Sequence, residues 1–95
     1  MDTKKEKTHG NYKDTAEMSQ SLKGVMMVSK NWDTLTSPQR ESLEMIAVKI
    51  ARILSGDSSF REHWDGIEGY AELGGGNSPP SMPQIALDLS KAMGG

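Results

Sequence analysis

The stretch SPQRESLEMIAVKIARILSGD, Ser37 to Asp57, decides how the chain folds. Ser37 followed by Pro38 reads as an N-cap with proline in the first helical position, and Ser55-Gly56-Asp57 reads as a stop. A helix is therefore expected from there to about Leu54. Winding it at about 100° per residue gathers Leu43, Ile46, Ala47, Ile50, Ile53 and Leu54 into one stripe, the expected core face. The other side carries Met45, Val48 and Arg52, with Glu41 about opposite the stripe and Glu44 well off it. A helix apolar on both sides is buried between layers, which in so small a protein predicts contact with another subunit.

Toward the C-terminus, Ser59 followed three residues later by Glu62 has the form of a capping box, so a further helix is expected from near Phe60 to the triple glycine 74–76. Phe60, Trp64, Ile67 and Ala71 form its expected core stripe, flanked by His63 and Tyr70. Glu62, Asp65, Gly66 and Gly69 point away. Toward the N-terminus, Met18, Leu22, Val25, Met26 and Ser29 recur at helical spacing and predict a first helix over about 11–30, weakened in its middle by Gly24. Residues 1–10 are polar and charged without apolar periodicity, the pattern of a mobile arm. Residues 75–95 hold the turn-forming linker NSPPSMP and the segment QIALDLSKAM, a short amphipathic helix or docking tail. The expectation is an all-α protomer with three main helices across residues 11–74, assembled into a symmetric oligomer.

Composition narrows the function. With 95 residues the chain is one domain, near the size at which a single core struggles to offset conformational entropy, so oligomerisation is expected. It has no cysteine, which removes disulfides, thiolate metal sites and thiol nucleophiles and suits a reducing cytosol. Two histidines, His9 and His63, give no metal-binding spacing, and neither a metal nor a cofactor is expected. A net charge of -2 disfavours DNA as the main partner. No apolar run approaches the roughly 20 residues that span a bilayer, and the first ten residues lack the apolar stretch of a signal peptide, so no membrane partner is expected.

Two quartets raise an enzymatic possibility. ESLE and EHWD together spell E-x-x-E…E-x-x-D with Glu41, Glu44, Glu62 and Asp65, and an all-α nucleoside triphosphate pyrophosphohydrolase holds magnesium with such carboxylates on neighbouring helices. The bland alternative makes them outward-facing acids near helix starts, favoured there by the helix dipole. The fuller enzyme pattern has two adjacent acids before the second member of the first quartet, and Arg40 stands in the first of those places.

The polar face of the first helix has different chemistry. Tyr12, Ala16, Ser19, Lys23, Met27 and Lys30 lie along it, an aromatic ring at one end and two ammonium groups further on. A ring stacks on a nucleobase for roughly 1–3 kcal/mol and lysines neutralise phosphates, so this face has the parts of a nucleotide site. Tyr12 and Lys23 stand roughly 16 Å apart along a helix, long for a mononucleotide. Two such helices paired antiparallel across a two-fold axis would suit a ligand with two bases and two phosphates. Arg52 and Arg61, with Lys49, could form a second basic patch, although such side chains are equally ordinary surface charges whose stems cover apolar area.

These residues resemble a family. The K-x-x-R of Lys49 to Arg52, the Gly56-Asp57 pair, the E-x-W of Glu62 to Trp64, the I-x-G-Y of Ile67 to Tyr70 and the HGNY of His9 to Tyr12 resemble, across about Thr8 to Leu73, the phage anti-CBASS cyclic-oligonucleotide sponges. That resemblance implies a homohexamer of small helical protomers. It implies binding, without cleavage, of cyclic dinucleotides such as cyclic GMP–AMP, with cyclic trinucleotides at separate sites, in the cytoplasm of the infected bacterial host. The family's stacking tyrosine matches Tyr12. Met27 stands at the spacing of its phosphate-binding lysine, with Lys23 and Lys30 one turn to either side, and Arg52 and Arg61 are the candidates for the second site.

Overall fold

The computed structural model describes residues 4–76. They form α1 (Lys4–His9), α2 (Tyr12–Met27), α3 (Ser37–Ser55) and α4 (Arg61–Gly74), with a 3-10 turn at Trp32–Thr34 before α3. The all-α class and the three main helices are those expected from periodicity. The expected linker beyond Gly76 and the QIALDLSKAM segment lie outside the described residues.

Helix α3 is central. α2 and α4 both pack against it, and α1 docks on α3 and α2. Helices of the same chain thus pack on both sides of α3 and leave Met45 and Val48 half-buried, while Leu43 and Leu54 of the expected core stripe stay exposed. The caps also differ in detail from the sequence reading. Thr36, not Ser37, is the N-cap of α3: its hydroxyl accepts from the Gln39 N–H at 3.2 Å while Gln39 Oε1 accepts from the Thr36 N–H at 2.9 Å, a complete capping box. The Ser59–Glu62 box does not form. Phe60 occupies the N-cap of α4 without a side-chain bond, and the Asp57 carboxylate turns the chain by accepting from the Ser59 N–H at 2.8 Å.

Helices α2 and α4 are rotated relative to the hydrophobic pattern. On α2 the buried residues are Thr15 and Ser19, while Met18, Val25 and the cap residue Val28 are exposed. On α4 the buried residue is His63, only 1 % exposed, whereas Trp64 is exposed and donates its indole N–H to the Ser58 carbonyl at 2.8 Å. The reason is close helix approach. A Cβ on Gly74 would come within 2.7 Å of Ser42 Cβ, and one on Gly66 within 2.6 Å of Lys49 Cε, so α4 turns its glycines toward α3 rather than away. Gly69, in contrast, has open space beside it. Ser42, Ala47 and Ala51 form the matching buried row of α3. Small side chains take the fully buried positions of α3, while Ile46, Ile50, Ile53 and Ile67 are half-buried around them.

The expected mobile arm is also corrected, because residues 4–9 form α1 and are tied down. The Thr8 carbonyl accepts from the Asp57 N–H at 2.9 Å and from His63 Nε2 at 2.7 Å. Gly10 follows as the residue after the helix, with a φ of 87° that favours glycine, and its N–H donates to the Glu6 carbonyl at 2.8 Å. A Cβ at Gly10 would meet Ser55, and one at Gly56 would meet the Thr8 carbonyl. Two glycines thus let the α1 end and the α3–α4 turn touch backbone to backbone.

Candidate functional site

The docking of α1 creates a cavity of about 570 Å³ between α1, α2 and α3. Met45 and Val48 of α3 supply apolar floor, so the second apolar side of α3 is used here. From α2 come Tyr12, Thr15, Ser19, Gln20 and Lys23; from α1, Lys5, Glu6 and His9; and from α3, Arg52. Lys5, Lys23 and Arg52 bring positive charge from three different helices, and Glu6 is the one carboxylate of the lining. Such a lining suits an anionic ligand with apolar or aromatic parts.

Local structure explains each placement. Asn11 caps α2 by accepting from the Asp14 N–H at 3.2 Å, which sets Tyr12 in the first helical position. Its ring is 85 % exposed at the cavity rim, available for stacking. Thr15, one turn on, bonds through its hydroxyl to the Asn11 and His9 carbonyls at 2.8 and 3.1 Å and so fixes α2 against the end of α1. Lys5 and His9 are four apart on α1 and share one face. The His9 ring packs between Phe60 and His63, with centroids 5.8 and 4.7 Å away, and its Nδ1 lies 2.6 Å from the Thr8 hydroxyl. Burial first, and then the Arg52 guanidinium, His63 and Lys5, hold the His9 imidazole below its ordinary value of 6.5, against a weaker upward pull from Glu62.

Of the four dinucleotide-site residues picked out from the sequence, Tyr12, Ser19 and Lys23 line this one cavity; Lys30 lies beyond the end of α2, exposed, and does not. Arg52, expected at a separate site with Arg61, lines the cavity instead. Arg61, on α4, is not part of that lining and donates to the Asp65 carboxylate at 2.8 Å. Lys49 is occupied differently again, its stem against Gly66 and its ammonium held below the ordinary value by burial and then by Arg52.

The four carboxylates of the enzymatic alternative are not gathered within the protomer. Glu41, Glu62 and Asp65 are exposed and Glu44 half-buried, and no group of three potential metal ligands occurs among the described residues. Arg40, standing where the enzyme pattern has an acid, serves the fold instead. It donates to the Trp32 and Asp33 carbonyls at 3.2 and 2.9 Å and clamps the 3-10 turn onto α3. Sequence reasoning missed Lys5, Glu6 and His9 because α1 is too short to show periodicity. The available signal was His9 in a last turn followed by Gly10 and then Asn11, a helix stop joined directly to a helix start.

Comparison of the chain with protein-family models, with curated proteins and with solved structures finds no match. No helix among the described residues is long and apolar enough to cross a membrane.

Proposed function

We propose that this chain is a non-enzymatic sponge that binds cyclic dinucleotides such as cyclic GMP–AMP and so blocks CBASS antiphage signalling in the cytoplasm of an infected bacterium. One observation carries the proposal: Tyr12, Ser19 and Lys23, chosen from the sequence as parts of a nucleotide site, share a single cavity with Lys5 and Arg52. Its 570 Å³ falls within the roughly 300–1,000 Å³ of small-molecule sites. The lining offers a ring for stacking, hydrogen-bonding groups and cations for phosphate, which is equipment for retention. The likeness to phage anti-CBASS sponges supplies the ligand class. Because Arg61 is not in the lining that Arg52 joins, the proposal rests on the dinucleotide cavity alone. A symmetric oligomer, a hexamer by the same likeness, would cover Met18, Val25 and Val28, which the protomer leaves exposed.

The test is to incubate the full chain with a panel of cyclic dinucleotides with and without magnesium, denature it by heat, and identify the released ligand by mass. Intact dinucleotide in both conditions is expected. Tyr12→Ala should weaken binding about fivefold to 150-fold for each base stacked, and Tyr12→Phe should retain most of it. Cleaved ligand, or an alanine variant that binds as tightly as the parent, would overturn the reading.

A further inference from the structure

The cavity is chemically lopsided. On the α2 side stand Tyr12, Gln20 and Lys23; on the other side Lys5 and His9 of α1 meet Arg52 from the last turn of α3. Building on the nucleotide reading of this cavity, we infer that Lys5, His9 and Arg52 form a phosphate subsite in which the His9 imidazole takes up a proton from solvent when a phosphate binds. Affinity for a phosphodiester ligand then rises as the solution becomes more acidic.

Position singles out one of the two histidines. Both belong to the same aromatic cluster with Phe60, but only His9 lines the cavity, whereas His63 is fully buried and spends its Nε2 on the Thr8 carbonyl. His9 is fixed rather than swinging, because its Nδ1 is held at the Thr8 hydroxyl and its ring is packed from two sides. The charged and titratable groups facing it are Lys5 on its own helix, Arg52 on α3, and His63 and Glu62 on α4. Glu6 lines the same cavity. In the free protein, burial and the cations outweigh Glu62, so the ring is neutral near pH 7. A phosphate seated against Lys5 and Arg52 screens those two cations and adds an anion beside the ring. Each change favours imidazolium. By linkage, a ligand that raises the proton affinity of a group must itself bind more tightly when that group is protonated.

The experiment is calorimetric titration of the full chain with 3′,3′-cyclic GMP–AMP in pairs of buffers that differ in ionisation heat, between about pH 5.5 and pH 8. In parallel, the His9 ring proton is titrated by NMR with and without inorganic pyrophosphate. Uptake approaching one proton per site is expected, with affinity rising by up to about tenfold per pH unit over the window between the free and bound values. His9→Gln should abolish the uptake. Dinucleotide binding with no proton uptake sinks the inference and leaves the sponge reading standing. Pyrophosphate that raises the His9 titration while no dinucleotide binds supports the subsite and sinks the sponge reading; failure of both probes to bind sinks both.

Discussion

Gly56→Ala is the sharpest single test of how this site is built. The backbone at Gly56 has a φ of -118°, outside the left-handed region, and the contact its added methyl would make is what the substitution tests. The added methyl would meet the Thr8 carbonyl and lie 2.6 Å from the Gly10 nitrogen, and these are backbone atoms that no rotamer change can move. The least costly escape is for α1 to leave. Its departure breaks the two hydrogen bonds to the Thr8 carbonyl, worth together about 1–3 kcal/mol. It also ends the packing of His9 on Phe60 and His63, about 0.5–1.5 kcal/mol. The loss is therefore about 1.5–4.5 kcal/mol and is capped there, because a detached α1 no longer feels the clash. Amide exchange should show residues 4–10 losing protection while α3 and α4 keep theirs, and urea unfolding at fixed protein concentration should show the reduced stability. Parent-like protection of residues 4–10 in the variant would refute the backbone-to-backbone contact and with it the cavity wall.

Other outcomes follow from the same geometry. Gly74→Ala pushes a methyl onto the buried Ser42 of α3 and should destabilise by about 1–3 kcal/mol, whereas Gly66→Ala meets only the flexible end of Lys49 and should cost well under that in the same urea assay. Changing Glu41, Glu44, Glu62 or Asp65 singly to its amide should leave ligand binding intact, measured as the amount of dinucleotide retained; loss of retention in any of them would revive a metal-centred site. Because the folded state holds His9 below 6.5, the unfolded chain binds more protons, so His9's contribution to stability is present above about pH 6.5 and is lost as pH falls toward the folded value. Urea midpoints at mildly acidic and neutral pH should differ for the parent, and by less for His9→Gln.

The existence of α2, α3 and α4 was legible because each carries enough apolar residues at helical spacing, and Ser37-Pro38 marked the start of α3 within one residue. The rotation of α2 and α4 was not. Hydrophobic periodicity points Met18, Val25 and Trp64 inward, yet tight crossing selects Thr15, Ser19, Gly66 and Gly74, whose advantage lies in how near they let backbones come. Burying His63 adds a second misdirection: its polarity is satisfied by one carbonyl from a segment distant in sequence, which no local pattern can announce. The candidate site was half legible for the same reason. Tyr12, Ser19 and Lys23 fall on one face of one helix, but Arg52 joins them only through tertiary packing, and Lys5 and His9 only because α1 is docked.

The joint at Thr8 makes stability and recognition separable by measurement. Its carbonyl holds α1 to α4 through His63 and to the α3–α4 turn through Asp57, while the next residue, His9, faces the cavity. A change at Gly56 is outside the cavity lining, yet it removes Lys5 and His9 from the ligand by releasing their helix. Its cost in affinity must therefore track the loss of protection at residues 4–10. Tyr12 behaves oppositely: its ring is exposed at the rim, so its removal should cost affinity without moving the exchange pattern. If the cavity binds through the α1 wall as well as through α2, both changes cost affinity, and only the one at Gly56 also changes protection at residues 4–10. If ligand rests on α2 alone, releasing α1 leaves affinity where it was.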